Sequence, residues 1–388
     1  MKNQTLISTN DDKYNYKNSI VPPIAQSAIF TFGSYEQLDA YINQTDEEKH
    51  YAYGRGDTPG TDVLAEKLAE LAGGEDCCLV SSGMGAIALV FLSFLKTGDH
   101  LICVQNTYST ARGFINDMVV GKMGVEVTYV DGDCIEDFET SLQSNTKMIY
   151  LESPSSAVFH LQDIQAVSEL VKNKNIKIAI DNTYATMLYQ KPLLLGADIE
   201  IHSLSKYING HNDVVGGAII GLREDIKKIR NQTLIQVGSN LSSFDAWLVL
   251  RGLRTLPQRL KQQEESANWI AQKLNKNNKI IQVNHVSLKN FKQYDLFKKQ
   301  MTGSSGLFSF EVKTSKEKIK KFLSELKLFN IGISWGGYES MVYISSLSKP
   351  YYRDANNEEE INVVIRISIG LEDYQDLWED LENGISFL

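Results

Sequence analysis

The stretch Ile201-His-Ser-Leu-Ser-Lys-Tyr-Ile-Asn-Gly-His211 predicts a short buried strand that ends in hydroxyl side chains and opens into a loop. A lysine placed at such an opening loses part of its hydration, which lowers the pKa of its amine and makes it a better nucleophile. A surface lysine is the ordinary alternative in a chain with 39 Lys and Arg residues. Lys206 stands out because Ser203, Ser205 and Asp181, which ends the preceding strand, accompany it.

These residue types match the requirements of one cofactor, pyridoxal phosphate. That cofactor needs an amine for its aldehyde, hydrogen-bond donors for its phosphate and a carboxylate that keeps its ring nitrogen protonated. Lys206, the two serines and Asp181 could supply these groups in turn. The sequence therefore predicts a pyridoxal phosphate site around Lys206.

A glycine-rich turn, Ser81-Ser-Gly-Met-Gly-Ala86, lies between a predicted strand and a predicted helix. The free N–H groups and the positive dipole end of that helix can hold a phosphate. The turn also fits the loose dinucleotide fingerprint, but the next strand ends in Gln105 and Asn106 and lacks the acidic residue that would bind a ribose. We favour Gly83 and Met84 as phosphate-binding residues, with a glycine turn that only packs the helix as the alternative.

Strand and helix patterns alternate from residue 77 to residue 202, which predicts an α/β fold with mostly parallel strands. Ligands of such sheets bind beyond the carboxyl ends of the strands. The pattern also predicts a helix N-cap at Thr61 and a long helix over residues 244–274 that is interrupted at Pro257. We predict an N-terminal arm (1–55), an α/β cofactor domain (56–255) and a smaller α+β domain (256–388).

The bulk composition is that of an ordinary globular protein, with 43% hydrophobic and 22% charged residues. The longest apolar run, residues 87–95, is far shorter than the roughly 20 residues that span a bilayer. The net charge of −9 argues against a general affinity for nucleic acid. The four cysteines show no metal-ligand or redox spacing, and the N-terminus has no apolar leader pattern. We expect a cytoplasmic protein with no metal and no membrane or nucleic-acid partner.

Taken together, several motifs resemble those of the cysteine and methionine metabolism family of pyridoxal-phosphate enzymes, which has the aspartate-aminotransferase-like fold type I. They are Tyr53-Gly-Arg55, Ser82-Gly-Met84, Glu152-Ser-Pro154, Asp181-Asn-Thr183 and the stretch around Lys206. The resemblance runs from about residue 51 to the C-terminus and is weaker in the arm. Within the family, the motifs that look most like bacterial cystathionine β-lyases are Arg251-Gly-Leu-Arg-Thr255, Thr302-Gly-Ser-Ser-Gly-Leu-Phe-Ser-Phe310, Ser334-Trp-Gly-Gly-Tyr-Glu-Ser340 and Ile369-Gly-Leu-Glu-Asp373.

The resemblance implies how the cofactor is held. Lys206 would bind it covalently and Asp181 would pair with its ring nitrogen. The phosphate would be held by Gly83, Met84, Ser203 and Ser205, together with Tyr53 and Arg55 from a neighbouring subunit. A homodimer with shared active sites is therefore implied, and we expect a homotetramer.

The resemblance also assigns residues to the substrate. Tyr108 would stack on the cofactor ring and accept the substrate's ammonium proton, its pKa lowered by a neighbouring cation; on its own, a loop tyrosine is more often simple packing. Arg366 would bind the α-carboxylate with its fork of donors, and a structural salt bridge is the alternative. The same pocket would be lined by Tyr53, Ser334 and Trp335.

Two departures from the family pattern bear on the substrate. Ser156 stands where most members have asparagine, and Ile333 stands where γ-acting members typically have glutamate and the bacterial β-lyases have tyrosine. We predict β-elimination from L-cystathionine to homocysteine, pyruvate and ammonia, with cysteine lyase or alanine racemase side activity. Racemisation is suggested because Lys206 and Tyr108 could carry protons on opposite faces of the substrate and the apolar Ile333 makes no polar demand on its side chain. The alternatives are a cystathionine γ-synthase, a cystathionine or methionine γ-lyase, and a non-catalytic regulator that binds pyridoxal phosphate.

Overall fold

A seven-stranded sheet forms the centre of the first part of the molecule. The computed structural model describes residues 2–9, 14–43, 45, 49–345 and 360–388. The strands are β1 (Asp76–Val80), β2 (His100–Val104), β3 (Glu126–Val130), β4 (Thr146–Glu152), β5 (Lys177–Asp181), β6 (Ile199–Ser203) and β7 (Gly217–Gly221). Their order across the sheet is β1-β7-β6-β5-β4-β2-β3.

The central strands confirm the predicted parallel α/β arrangement. β6, β5, β4, β2 and β3 pair in parallel, and their carboxyl ends therefore meet at one edge of the sheet. β7 runs antiparallel to both β6 and β1. The sequence did not predict β7, because its five residues begin and end in glycine, which weakens a strand pattern.

Helices cover both faces of this sheet. The helices of this part of the chain are α1 (Asn3–Ser8), α2 (Tyr35–Asn43), α3 (Pro59–Ala72), α4 (Gly83–Phe94), α5 (Ser109–Phe114), α6 (Ile135–Ser141), α7 (Ile164–Val171), α8 (Thr186–Tyr189), α9 (Arg223–Lys228), α10 (Ile235–Val237) and α11 (Ser243–Leu253). Successive strand residues point to opposite faces. Ile102 packs with residues of α6 and α7, whereas Cys103 packs with residues of α4 and α5. Cys77 and Cys78 likewise pack into separate cores.

One predicted helix boundary is wrong. Thr58, not Thr61, is the N-cap of α3: its hydroxyl accepts from the Thr61 N–H at 3.2 Å, and the Thr61 hydroxyl accepts from the Thr58 N–H at 2.8 Å. This reciprocal pair satisfies two N–H groups that a helix start otherwise leaves free. The predicted interruption of the helical pattern over residues 244–274 is confirmed: α11 ends at Leu253, and Pro257 lies in the first turn of α12 (Leu256–Leu274), where a missing N–H has no cost.

The second part of the chain is built on a five-stranded sheet. Its strands are β8 (Gln282–Asn284), β9 (Leu307–Thr314), β10 (Asn330–Ile331), β11 (Met341–Ser345) and β12 (Ile361–Ser368), in the order β10-β11-β12-β9-β8. All pairings are antiparallel except that of β10 with β11. The accompanying helices are α12, α13 (Tyr294–Gln300), α14 (Lys316–Glu325) and α15 (Tyr374–Ile385). The predicted domain boundaries at residues 55 and 255 stay a prediction.

The structure gives one further fact about the chain as a whole. Within the described ranges, every helix is too short or too polar to span a lipid bilayer.

Candidate active site

A cavity of about 770 Å³ opens at the carboxyl ends of the parallel strands, between the two sheets. Its lining includes all of the predicted site residues except Tyr53 and Arg55, namely Gly83, Met84, Tyr108, Asp181, Ser203, Ser205, Lys206, Ser334, Trp335 and Arg366. The first seven come from the seven-stranded sheet and its loops, and the last three come from the second part of the chain. The site is therefore formed at the junction of the two parts.

The start of α4 forms the anion-binding end of the cavity. Ser82 caps the helix by accepting from the Gly85 N–H at 2.9 Å, which leaves the N–H groups of Gly83 and Met84 without a helical partner. A methyl group on Gly83 would lie 2.8 Å from Cβ of Ser203, so only glycine lets the helix approach β6 this closely. Free N–H groups and the dipole of a 12-residue helix favour a phosphate here.

Two serines at the end of β6 extend this donor set. The Ser203 N–H donates to Oγ1 of Thr183 at 2.9 Å, and this fixes the strand end. The Ser205 hydroxyl oxygen accepts from the Gly216 N–H at 3.0 Å. Both serines still line the cavity, so their hydroxyl groups are within the same space as the start of α4.

Asp181 ends β5, and one face of its carboxylate is already bound. Its Oδ1 accepts from the N–H of Thr183 at 2.9 Å and from the hydroxyl of the same residue at 2.5 Å. Burial raises the pKa of Asp181, while the two Thr183 bonds and the nearby His202 and Lys206 oppose that rise. A cation placed beside Oδ2, such as a protonated ring nitrogen, would favour the ionised carboxylate further. Thr183 is part of a motif quoted above but was given no role, although a threonine two residues after an aspartate is a typical turn partner.

Lys206 lies in the turn after β6, with its amine directed into the cavity. Nζ lies 2.7 Å from Oγ of Ser334 and 5.4 Å from the centre of the Trp335 ring. Burial, together with the charge of Arg366, lowers the pKa of Lys206 to about 8, and Asp181 acts in the opposite direction. The expectation of a desolvated amine with a lowered pKa is confirmed.

Arg259, a residue of α12, holds the turn that carries Lys206. Its guanidinium donates to the carbonyls of Tyr207 at 2.8 Å, Ile208 at 3.3 Å and Gly252 at 2.8 Å. No carboxylate among the described residues pairs with it, and burial lowers its pKa to about 10. A methyl group on Gly210 would lie 1.9 Å from Nη1 of Arg259, so the turn also requires glycine at that position.

Arg366 lies on β12 and lines the cavity. Its Nη2 donates to the Ile333 carbonyl at 2.8 Å, and its guanidinium lies 5.0 Å from the centre of the Tyr343 ring. Burial lowers the pKa of Arg366. Within the described part of the chain it forms no ion pair, so the alternative of a structural salt bridge finds no support there. The remaining donors of the guanidinium are available to an anion in the cavity.

Glu152, at the end of β4, is a site residue to which sequence reasoning gave no role. It is only 8% exposed, and its carboxylate accepts from the N–H of Tyr108 at 2.6 Å and from the hydroxyls of Thr107 at 2.8 Å and Ser156 at 2.6 Å. The departure at Ser156 thus places a hydroxyl that donates to Glu152. Burial and the neighbouring Asp181 raise the pKa of Glu152 to about 7.

Tyr53 and Arg55 lie outside the cavity of their own chain. The Arg55 guanidinium stacks on the Tyr53 ring at 5.3 Å, and Tyr53 is 53% exposed. The turn between them is fixed because the Asn240 side-chain amide donates to the Gly54 carbonyl at 3.1 Å. In the structure of one chain, neither of these two side chains lines the cavity around Lys206.

The donors and acceptors in the cavity fit pyridoxal phosphate. The start of α4 offers amide donors at a position where no side chain could be accommodated. The second carboxylate oxygen of Asp181 has no partner among the described residues. Lys206 has a pKa suited to attack on an aldehyde. These three features lie in one cavity, which is large enough for the cofactor together with an amino acid.

Curated relatives cover nearly the whole chain. An L-methionine gamma-lyase of Porphyromonas gingivalis is 36% identical over 95% of this chain and 93% of its own length. A protein of Rhizobium johnstonii named "Putative cystathionine beta-lyase" is 34% identical over 99% and 96%. An L-alanine/L-glutamate racemase of Wolbachia pipientis is 33% identical over 100% and 98%.

Solved structures and a family model agree with these relatives. The structure of metB from Corynebacterium glutamicum matches with a TM-score of 0.89 and 32% identity, over 100% of this chain and 98% of that one. The structure of metY from Campylobacter jejuni, solved with a pyridoxyl-lysine monophosphate, matches with a TM-score of 0.90 and 27% identity, over 99% of both chains. Residues 3–386 match the family model described as "Cys/Met metabolism PLP-dependent enzyme". The chain belongs to this family, with its pyridoxal phosphate cofactor and its fold type I architecture.

Proposed function

We propose that this protein is a carbon–sulfur β-lyase that cleaves L-cystathionine to homocysteine, pyruvate and ammonia. The observation that carries the proposal is the side chain before Ser334. Ile333 is 80% exposed in the cavity wall and has no charge, whereas γ-acting members of the family typically carry glutamate at this position. β-Elimination requires one proton to leave Cα, whereas γ-elimination requires a further proton transfer at Cβ and hence more acid–base groups.

Each residue of the cavity has a task in this reaction. Arg366 binds the α-carboxylate of the substrate through its unpaired donors. Tyr108 accepts the ammonium proton, and Lys206 removes the proton from Cα and delivers it to the leaving sulfur. When bound, pyridoxal phosphate supplies an electron sink for the charge that develops at Cα. Asp181 keeps the ring nitrogen protonated, and the start of α4 with Ser203 and Ser205 holds the phosphate.

Two alternative activities have specific support. γ-Elimination from methionine is favoured by the methionine gamma-lyase relative at 36% identity. Alanine racemisation is favoured by the racemase relative and by the side chain of Tyr108, which lines the same cavity as Lys206 and could supply a second proton carrier. Because Ile333 gives the cavity wall no charge, the site does not require a substrate with a long polar side chain, and alanine could bind through Arg366 alone.

We also propose the assembly in which the site is complete. Tyr53 and Arg55 would enter the cavity of a neighbouring subunit in a homodimer, and two dimers would form a tetramer in the cytoplasm. The support is that both residues lie outside their own cavity and that the arm exposes apolar side chains, including Ile20, Ile29 and Tyr35. Tyr53 would then also contact substrate.

Product identification tests the proposal. The protein loaded with pyridoxal phosphate is incubated with L-cystathionine, and the products are identified by mass spectrometry. Pyruvate with homocysteine is expected; 2-oxobutyrate with cysteine, or no product, would contradict it. Lys206→Ala should abolish the reaction, and Lys261→Ala, at a lysine 72% exposed on α12, is the matched control that should retain it. L-Methionine and L-alanine, assayed in parallel, test the two alternatives.

A further inference from the structure

The carboxylate of Glu152 joins two loops that line the cavity. Oε2 accepts from the Tyr108 N–H and the Thr107 hydroxyl, and Oε1 accepts from the Ser156 hydroxyl. Thr107 and Tyr108 lie more than 40 residues from Glu152 in sequence, so these bonds fix a long-range contact. The Ser156 N–H donates to the Asn106 carbonyl at 3.1 Å and ties the same two loops together a second time.

The backbone of Tyr108 depends on this carboxylate. Tyr108 is the N-cap residue of α5, and no side chain caps that helix. The N–H of Tyr108 donates to the carboxylate of Glu152. Its ring is 44% exposed and lines the cavity. The bond from the Tyr108 N–H to Glu152, at 2.6 Å, is charge-assisted and therefore among the stronger kinds of hydrogen bond. It fixes the backbone from which the Tyr108 ring extends.

Glu152 holds this position against an electrostatic cost. In the paired strands β4 and β5, Glu152 lies directly opposite Asp181, so two carboxylates end neighbouring strands on one face of the sheet. Among the described residues no cation pairs with Glu152; its three partners are an N–H and two hydroxyls. A buried carboxylate without a cation is stabilised only by its hydrogen bonds, so its three donors must be held in one geometry.

We propose that Glu152 is a positioning residue that acts through Tyr108. It fixes the Tyr108 backbone and so determines whether the Tyr108 hydroxyl is placed where it can act as a proton carrier. This inference rests on the proposed function for the role of Tyr108. Glu152 itself touches neither the reacting carbon nor the leaving sulfur in that scheme. The proposal predicts that removing Glu152 slows proton transfer in the same way as removing the Tyr108 hydroxyl.

The first test needs no turnover. Hydrogen–deuterium exchange is measured by mass spectrometry on peptides that cover residues 105–110, in the protein without added cofactor. Glu152→Ala should speed exchange of the Tyr108 amide by about 10- to 100-fold, the effect of losing a hydrogen bond to a charged acceptor. Glu152→Gln should give a smaller increase, because its one carbonyl oxygen can still accept. Glu169→Gln, at an exposed glutamate on α7, is the matched control and should leave this exchange unchanged.

The second test is a double-mutant cycle with Tyr108→Phe. Exchange of the substrate Cα proton in deuterated water is the readout, because it reports proton removal even if cystathionine is not the substrate. If Glu152 acts through Tyr108, Glu152→Gln should slow exchange about tenfold in the wild-type background and less than about twofold in the Tyr108→Phe background. Effects that multiply, or an unchanged exchange of the Tyr108 amide, would overturn the proposal. Exchange of the Cα proton without any β-elimination product would contradict the proposed function. The double-mutant cycle would still show whether Glu152 acts through Tyr108.

Discussion

The amine of Lys206 lies 2.7 Å from the hydroxyl of Ser334, a residue 128 positions later in the chain and in the loop between β10 and β11. The amine is therefore buried by the second part of the chain, which also contributes Arg366, the cation that helps to lower its pKa to about 8. The reactive state of Lys206 thus depends on both parts of the molecule being folded together.

The first prediction follows from that pKa. In protein freed of cofactor, the rate at which pyridoxal phosphate attaches to Lys206 should rise as the pH increases through about 8 and level off above it, because only the neutral amine attacks. Arg366→Met should move the midpoint up and Asp181→Asn should move it down, since their charges act in opposite directions. Stopped-flow absorbance would measure these rates. A midpoint near that of free lysine in the wild-type protein would show that the amine is not desolvated.

The second prediction concerns Gly83. In Gly83→Ala the new methyl group would lie 2.8 Å from Cβ of Ser203, which should cost about 1–3 kcal/mol through displacement of α4 from β6. The affinity for pyridoxal phosphate should fall about tenfold or more, since 1.4 kcal/mol is a factor of ten. Gly113→Ala on α5 is the matched control, because a methyl group there meets no atom within 4 Å. Cofactor titration and thermal unfolding of both variants would measure the difference, and equal behaviour would refute the packing argument.

The third prediction concerns the charge of Asp181. Asp181→Asn keeps the size and one acceptor for Thr183 but removes the charge that would keep the ring nitrogen protonated. Turnover should fall by about a hundredfold or more, as when another preorganised charge is removed, while the cofactor still attaches to Lys206. Absorbance spectra and steady-state rates separate these effects. Asp117→Asn, at an exposed aspartate, should keep wild-type turnover, and a variant of Asp181 that does the same would exclude the assigned role.

The fourth prediction tests the shared site. If Arg55 serves the neighbouring subunit, Arg55→Ala and Lys206→Ala proteins are each inactive, but mixed dimers contain one intact site. Random exchange of equal amounts should therefore restore about a quarter of wild-type activity, because half of the dimers are mixed and half of their sites are complete. Activity after unfolding and refolding the mixture measures this recovery. No recovery, with mixed dimers demonstrated by mass spectrometry, would assign Arg55 to the site of its own chain.

The fifth prediction is slow racemisation of alanine. With L-alanine in deuterated water, both Cα exchange and D-alanine should form, and Tyr108→Phe should reduce D-alanine formation by about 10² to 10⁴, the contribution of one acid or base. Chiral chromatography measures the product. Exchange with complete retention of the L form would mean that only one face of the substrate has a proton carrier, and racemisation would be excluded.

The local features of the site could be predicted from the sequence because they lie at the ends of strands. Asp181, Ser203 and Lys206 stand at or just beyond such ends, and the alternating pattern alone brings parallel strand ends to one edge. Arg366 could be assigned only through its resemblance to family motifs. Its alternative, a structural salt bridge, could be tested only when β12 and its neighbours were seen.

What could not be predicted depends on contacts between distant segments or on choices between equivalent residues. The bond between Lys206 and Ser334 and the three bonds to Glu152 join residues that no local pattern relates. The cap of α3 was placed at the wrong threonine because Thr58 and Thr61 are both suitable types, and only the reciprocal bonds decide between them.

The contact between Gly210 and Arg259 limits which mutations can accumulate beside Lys206. A side chain at position 210 would collide with the guanidinium at 259 and would also have to adopt a φ of +70°, so loss of the guanidinium removes only the collision. Loss of the guanidinium first leaves the carbonyls of Tyr207 and Ile208 without their donor, next to the residue that binds the cofactor. Neither single step is neutral, and the positive φ at position 210 persists even when both residues change, so a lineage that keeps an active Lys206 should keep both Gly210 and Arg259.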